Sequence, residues 1–332
     1  MFFMQFVCPF GGKGAKAAEL SIGNDKPNVI VRNCLLGQSW KHPIPSGFAG
    51  KSEVGTAVAN FTGSMDPDTR SSSAWNVASR CNEPPWVLAA LDFQDDPTPL
   101  EIVGARQSEE RLFRLLDHFD SSEARGLTFH EYLSARFQLE EWDRRKEGAR
   151  EVLRHSYLRY LLGWGNDSNG QSGAVLKHWV ESRFGLRPTY HSGKMPSDVR
   201  ALQKYRFDRV KGQAETTSVE DQLDLLYTFC QYELGRRMPG ERWIVLYRGT
   251  HDPEEYFVAK ESDGTLSVEL NNLSSFTSDP EIAWEFGSMV WKIRIPLAKI
   301  VFFSGLLPRN ILEGEKEYLV LGGRYRVGRL RW

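Results

Sequence analysis

The spacing of apolar residues changes near Gly240, and this change limits the possible folds more than any other feature of the sequence. Before Gly240, apolar side chains recur at helical spacing over long stretches. After Gly240, short apolar runs and alternating patterns dominate, as is typical of β-strands. Because helices precede strands and the two do not alternate regularly, the sequence predicts an α+β fold.

The helical part is expected to extend from residue 79 to residue 240. Ser218, followed by Asp221, resembles a capping box, in which side chains bond to free main-chain N–H groups at a helix start. Residues 163–173 are rich in Gly, Asn and Ser and predict a loop. The predicted helices are one capped by Ser108 and reaching Phe119, one marked by Tyr132, Phe137 and Trp142, one from Val152 to Leu162, one through Val175 and Val180, and two at Met195–Val210 and Ser218–Leu234.

The strand-rich part is expected to extend from residue 241 to residue 332, so that residues 79–332 form one domain. The predicted strands are 243–249, 256–260, 265–270, 289–296, 299–305, 317–322 and 324–330, with a short helix at 280–286.

Residues 1–78 differ from the rest of the chain in their residue pattern. Glycines at 11–14, prolines at 43 and 45 and a polar run at 66–73 interrupt any regular pattern. The short apolar piece Val29–Val31 could form a strand. The apolar start lacks a preceding basic segment, which disfavours a signal peptide. We therefore expect a poorly structured extension.

The composition excludes several classes of protein. The 332 residues include 42 Lys and Arg against 43 Asp and Glu, a formal net charge of −1, whereas nucleic-acid-binding domains usually have a basic surplus. No uncharged apolar run reaches the roughly 18 residues of a membrane-spanning helix. The sequence therefore predicts neither a nucleic-acid partner nor a membrane span.

The cysteines point away from metal and disulfide frameworks. Cys8, Cys34, Cys81 and Cys230 are irregularly spaced, and none belongs to a Cys-x-x-Cys pair. Scattered thiols of this kind fit a reducing cytoplasm. We therefore expect a cytoplasmic protein without a metal site.

Three segments of the strand-rich part carry side chains suited to catalysis. Arg248 ends an apolar strand before Gly249, and a guanidinium offers a planar fork for phosphate oxygens. Hydroxyl side chains cluster at 274–278, before the short helix. Glu315 and Glu317 stand two apart at a strand entrance, which puts both carboxylates on one face for acid–base and cation-stabilising work. Each segment alone is more typical of a surface ion pair, a helix cap or an acidic strand end.

Taken together and in this order, the segments resemble the R-S-E signature of ADP-ribosyltransferases: Arg on one strand, Ser-x-Thr on a second, Glu-x-Glu entering a late one. The resemblance extends from Trp243 to Val327. It implies a helical half packed on a catalytic core of two β-sheets. It also implies NAD as the co-substrate and a catalytic step that needs no metal.

A closer resemblance is to the dinitrogenase reductase ADP-ribosyltransferases. It covers about residues 79 to 330 and rests on the segments RCNEPPWVLAALDFQDDPTPLEI, LYRGT, NNLSSFT, KIVFFSGLLP and GEKEYLVLGG. This family implies an arginine of nitrogenase iron protein, near its iron–sulfur cluster, as the target. It also implies reversible inactivation of that protein, removal of the group by a separate glycohydrolase, and a PII signalling protein as regulator.

The resemblance implies a role for each motif residue. Glu317 is expected to be the catalytic carboxylate, which bonds a ribose hydroxyl and stabilises the developing cation. Ser275 is expected to hold Glu317, and Glu315 to orient an acceptor arginine and accept its proton. Arg248 is expected at an NAD phosphate. The remaining NAD contacts are expected from Gly249, Asn272, Ser275, Phe276 and Thr277.

Two other functions remain open at this point. An arginine-directed toxin or effector of the same superfamily, with a different protein target, shares the same triad. A catalytically inactive binding module is a third hypothesis, which the intact Arg248, Ser275, Glu315 and Glu317 disfavour.

Overall fold

The structure is a computed structural model that describes residues 79–139, 156–213, 218–251, 256–260, 265–307 and 316–330. The expected extension at 1–78, including the strand at Val29–Val31, lies outside the described residues. The same holds for Glu315, Trp142 and Val152.

The described helices nearly all precede the strands, as the change of periodicity predicts. The long helix α9 (Ser218–Arg237) buries Tyr227 and Cys230 next to the sheet, where Tyr227 Oη donates to Ala298 O at 2.8 Å, and buries Phe229 against the ring of Phe129. The helices are α1 (Pro85–Ala89), α2 (Asp92–Asp95), α3 (Ala105–Ser108), α4 (Glu110–Leu116), α5 (Ser122–Arg136), α6 (Tyr157–Asn166), α7 (Gln171–Phe184), α8 (Val199–Gly212), α9 (Ser218–Arg237) and α10 (Pro280–Glu285).

Three helix boundaries differ from the prediction. Ser108 ends α3 instead of capping α4, because its Oγ donates to Ala105 O at 3.0 Å within its own turn. Helix α6 continues into the first four residues of the predicted loop and ends at Asn166. Helix α8 begins only at Val199, because the Asp198 carboxylate accepts hydrogen bonds from the first main-chain N–H groups.

Six strands follow α9 in the described part of the chain, and two of them are much longer than predicted. The segment that carries the hydroxyl cluster belongs to a 12-residue strand, and the last two predicted strands form one strand of 14 residues. The strands are β1 (Trp243–Thr250), β2 (Phe257–Lys260), β3 (Leu266–Thr277), β4 (Met289–Pro296), β5 (Ile300–Phe303) and β6 (Glu317–Leu330).

All six strands pair antiparallel in the order β2-β3-β1-β4-β6-β5, and β3 also pairs with β6. The prediction of two separate sheets is wrong in this respect. Strand β6 is long enough to pair with β3, β4 and β5, so its hydrogen bonds join the β1–β4 pair to the other strands. The α+β class is confirmed.

The core lies between α9 and the sheet. Gln231 Nε2 donates to Ile300 O at 2.7 Å, which fixes α9 across β5. Arg125 of α5 donates to the buried Glu233 carboxylate of α9 through Nε and Nη2. No helix in the described part of the chain is long and apolar enough to cross a lipid bilayer.

Candidate active site

The end of strand β1 brings Arg248 into the wall of a cleft. Arg248 Nη1 donates to the main-chain oxygen of Ser275 at 2.7 Å, and its guanidinium carbon lies 5.9 Å from the centre of the Phe276 ring. Arg248 Nε is buried and has no hydrogen-bond partner among the described residues. A guanidinium that is held on one side and has donors to spare suits an anionic ligand.

Gly249 lets helix α10 approach strand β1 closely. A Cβ at Gly249 would lie 2.0 Å from Ala283 O, and one at Gly287 would lie 2.1 Å from Thr250 N. Both distances are far below van der Waals contact, so only glycine fits at either position. Gly249 is also one of the residues that line the cleft.

We expect Gly249→Ala to displace α10 and to lower both stability and turnover. Overpacking of this kind costs about 1–3 kcal/mol of unfolding free energy. Gly328→Ala is the matched control, because its added Cβ would meet Lys292 O at an ordinary 3.6 Å. Thermal unfolding and nicotinamide release from NAD measure the two effects. Equal behaviour of the two variants would contradict the steric argument.

Glu317 is held by main-chain hydrogen bonds at the first position of β6. Its N–H donates to Ser304 Oγ at 2.8 Å, and its carbonyl accepts from Ser304 N at 2.8 Å. The residue is 3% exposed and lies opposite Thr277 of β3. The sequence did not indicate Ser304, because this residue contacts Glu317 only after β5 and β6 pair.

An ion pair links the cap of α10 to the residue before Glu317. Asp279 Oδ1 accepts from Glu281 N at 2.9 Å, and Asp279 Oδ2 lies 2.9 Å from Lys316 Nζ. The ammonium of Lys316 lowers the pKa of the Asp279 carboxyl. This contact joins α10 to the start of β6.

Ser275 lies on β3, two residues before Thr277, which is the residue paired with Glu317. The register of β3 and β6 places Ser275 opposite Leu319, and Thr277 opposite Glu317. Because side chains two apart share a face, Ser275 and Glu317 are diagonal neighbours on the same side of the sheet. The hydroxyl of Ser275 accepts a hydrogen bond from Trp164 Nε1 at 2.8 Å. The sequence did not indicate Trp164 as a site residue, because it lies in the segment that was predicted to be a loop. In the structure it belongs to the last turn of α6.

The structure does not bring Asn272 to the cleft. Its side chain is 2% exposed, and its Nδ2 donates to Lys177 O at 2.8 Å and Leu186 O at 3.0 Å. Asn271 lines the cleft instead. Asn271 Oδ1 accepts from Thr189 N at 2.9 Å. The physical cause is a bulge between Leu270 and Leu273, which turns Asn272 into the interior.

The cleft consists of two adjoining cavities that share Trp164, Ser168, Arg248 and Ser275 in their walls. The Glu317 cavity, of about 410 Å³, is also lined by Gly249, Phe276, Thr277 and Glu317. The Lys194 cavity, of about 460 Å³, is also lined by Lys177, Tyr190, Lys194, Tyr256, Glu269 and Asn271. Each is large enough for part of a small-molecule ligand.

A buried lysine supports the wall of the Lys194 cavity. Lys177 is 1% exposed, and its Nζ donates to Asn169 Oδ1 at 3.1 Å and to Tyr190 O at 3.0 Å. Burial lowers the pKa of Lys177 to about 7, partly offset by the Asp167 carboxylate. Lys177 thus bonds to both the loop before α7 and the loop after it, and holds the two loops close together.

Arg248, Gly249, Ser275, Phe276, Thr277 and Glu317 therefore meet in one cleft. Glu315 lies outside the described residues. Among the residues that the structure describes, no group of three or more His, Cys, Asp or Glu could hold a metal ion. The absence of a metal from the reaction stays a prediction.

An arginine, a serine and a glutamate on three antiparallel strands, gathered in one cleft, form the arrangement expected of an R-S-E ADP-ribosyltransferase. The family model of the dinitrogenase reductase ADP-ribosyltransferases matches residues 78–329. The chain belongs to this family.

A curated relative agrees with this assignment. The NAD(+)–dinitrogen-reductase ADP-D-ribosyltransferase of Rhodospirillum rubrum is 41% identical over 248 residues, which cover 73% of this chain and 90% of the relative. No solved structure matches the chain.

Deletion of residues 1–75 is expected to leave a folded, active enzyme. The family match begins at residue 78, and every residue that lines the cleft follows residue 163. Circular dichroism and nicotinamide release, compared with the full chain, test this. Insolubility or loss of helical signal in the truncated protein would mean that the deleted segment belongs to the core.

Proposed function

We propose that the protein is an NAD-dependent mono-ADP-ribosyltransferase that modifies, and thereby reversibly inactivates, dinitrogenase reductase. The observation that carries this proposal is the position of Arg248, in the wall shared by both cavities, with Glu317 in one of them. The name of the Rhodospirillum rubrum relative supports the same donor and the same target.

The charges along the cleft suit NAD as the donor. Lys194, Lys177 and Arg248 face the Lys194 cavity, with Glu269 as the acidic residue in its lining. A diphosphate placed at Arg248 finds further donors in the guanidinium, of which Nη1 already bonds to Ser275 O. The nicotinamide ribose then lies in the Glu317 cavity, with the carboxamide at the backbone of Gly249. The aromatic side chains Tyr190 and Tyr256 suit the adenine end.

Transfer begins with cleavage of the bond between the ribose C1′ and the nicotinamide nitrogen. The bonding electrons leave with nicotinamide, which becomes neutral, and positive charge develops on the ribose. Glu317 lowers the energy of this cation, because a fixed carboxylate in a largely buried site stabilises charge better than water does. The nitrogen of the acceptor then bonds to C1′ and loses a proton.

Glu315 is the residue that favours an arginine as the acceptor of the ADP-ribosyl group. A free guanidinium is always protonated and is a poor nucleophile, so it needs a carboxylate that orients it and accepts a proton as the C–N bond forms. Glu315 stands two residues before Glu317 in the sequence, in the segment that leads into β6. We therefore propose an arginine of dinitrogenase reductase, rather than a cysteine or an asparagine, as the modified residue.

The regulatory setting follows from the family. We propose a cytoplasmic enzyme, where both NAD and dinitrogenase reductase are present, under the control of a PII signalling protein. An arginine-directed toxin or effector would use the same chemistry on another protein, so the acceptor distinguishes the two functions.

The decisive experiment incubates the purified protein with labelled NAD and dinitrogenase reductase and maps the modified residue by mass spectrometry. We expect one ADP-ribosylated arginine and loss of reductase activity. A mixture of bacterial proteins without dinitrogenase reductase is the control. Label on other proteins but not on the reductase would favour a toxin or effector. Nicotinamide release without any protein label would contradict the transferase function.

A further inference from the structure

A residue of the helical half contacts the Ser275 hydroxyl directly. Trp164 lies in α6 and is 4% exposed, and its Nε1 donates to Ser275 Oγ at 2.8 Å. Its side chain lines both the Glu317 cavity and the Lys194 cavity. Trp164 therefore stands where the two cavities meet.

The direction of this hydrogen bond limits what Ser275 can do. A serine hydroxyl has one proton to donate and two lone pairs to accept with, whereas an indole N–H can only donate. With one lone pair bonded to Trp164, the hydroxyl keeps its proton for an acceptor. Glu317, its diagonal neighbour on β6, and a ribose hydroxyl in the Glu317 cavity both offer such an acceptor.

The indole is fixed from its other side. Lys177 Nζ lies 5.8 Å from the centre of the Trp164 ring, within reach of a cation–π contact. That ammonium is itself held by Asn169 Oδ1 and Tyr190 O. The position of Trp164 is thus set in part by α7 and by the two loops that flank it.

We propose that Trp164 is a positioning residue for ADP-ribosyl transfer: its indole N–H holds the Ser275 hydroxyl so that its proton points towards Glu317 and the ribose. The kinetic test of this inference rests on the proposed function, because it measures nicotinamide release. Trp164 thereby makes the catalytic arrangement of the strands depend on the helical half.

Trp164→Phe keeps an aromatic ring but removes the donor. We expect kcat for nicotinamide release to fall by about tenfold, as for the loss of one hydrogen bond that acts in the transition state. The KM for NAD should change little, because the ring that lines the cavities remains. A variant with kcat unchanged would overturn the proposal.

Trp179→Phe is the matched control. Trp179 is also a buried tryptophan of the helical half, and its Nε1 donates to Asp224 Oδ1 at 2.7 Å, away from the cleft. This variant should unfold at a lower temperature but keep its kcat. An equal loss of kcat in both variants would mean that general destabilisation, not the position of Ser275, explains the effect.

A double-mutant cycle with Ser275→Ala separates a positioning role from an independent one. If Trp164 acts through the Ser275 hydroxyl, Trp164→Phe should cause no further loss of kcat once that hydroxyl is absent. If the two losses multiply instead, Trp164 acts in another way and the proposal is wrong.

A spectroscopic test does not depend on activity or on the folding of the tryptophan variant. In the full protein without NAD, Ser275→Ala should shift the resonance of one indole N–H proton, because that proton loses its acceptor. Indole signals identical in both proteins would overturn the proposal. If the wild-type protein releases no nicotinamide but the indole resonance still shifts in Ser275→Ala, only the proposed function is contradicted.

Discussion

Replacement of Glu317 by Gln is expected to leave NAD binding within a few-fold of its original strength and to lower transfer by about 10²–10³-fold or more. Glutamine has the same shape, and the main-chain hydrogen bonds to Ser304 do not involve the side chain. What is lost is the negative charge next to the ribose. Because that charge acts mainly on the cation of the transition state, the loss should appear in kcat rather than in affinity.

Calorimetric titration with NAD and a nicotinamide-release assay measure the two quantities for this variant. Glu269→Gln is a suitable control, since it removes a carboxylate from the Lys194 cavity, away from the bond that breaks. Turnover of Glu269→Gln should stay close to that of the unchanged protein. If Glu317→Gln keeps more than half of its activity, Glu317 is not the catalytic carboxylate.

Replacement of Glu315 by Gln is expected to separate two activities of the same enzyme. Transfer to protein arginine should fall by about 10²-fold or more, which is the range for the loss of a general base. Slow hydrolysis of NAD should survive, because water needs no carboxylate to orient a guanidinium and Glu317 is still present. Label incorporation into dinitrogenase reductase and nicotinamide release, measured on one preparation, report the two activities.

Glu313→Gln supplies the control for Glu315, since it removes the same charge two residues earlier in the same segment. Both activities should persist in that variant. Parallel loss of both activities in Glu315→Gln would mean that Glu315 shapes the NAD site itself, and the argument for an arginine acceptor would lose its basis.

The positions of the strands along the chain, and the side chains that they carry at the cleft, could largely be predicted from the sequence, because both depend on local patterns. The periodicity located β1, β4 and the start of β6, and with them Arg248 and Glu317. It did not locate the bulge in β3. Alternation along a strand shows which side chains share a face of the sheet only while the strand pairing is regular. The bulge breaks this regularity, so the sequence could not predict that Asn271, and not Asn272, lines the cleft.

The residues that the sequence missed are those whose importance depends on tertiary contacts. Ser304 bonds to Glu317, 13 positions away, and Trp164 bonds to Ser275, 111 positions away. Ser304 lies in the segment KIVFFSGLLP, but nothing in that segment indicates its contact with Glu317, and Trp164 lies outside every segment that carries the resemblance. Trp164 does stand between Gly163 and Gly165, an unusual setting for a large aromatic residue near a helix end, and this was the one local signal available.

The place of β6 in the chain has a consequence for the order in which the enzyme becomes active during its synthesis. Arg248 and Ser275 leave the ribosome before Glu317, but β3 and β5 have their long partner only when β6 emerges. Pairings between distant segments also form slowly, because each must close a long loop. A partly synthesised chain thus holds an arginine and a serine without their carboxylate. On the proposed mechanism, consumption of NAD, and with it the modification of other proteins, begins only when the sheet is complete.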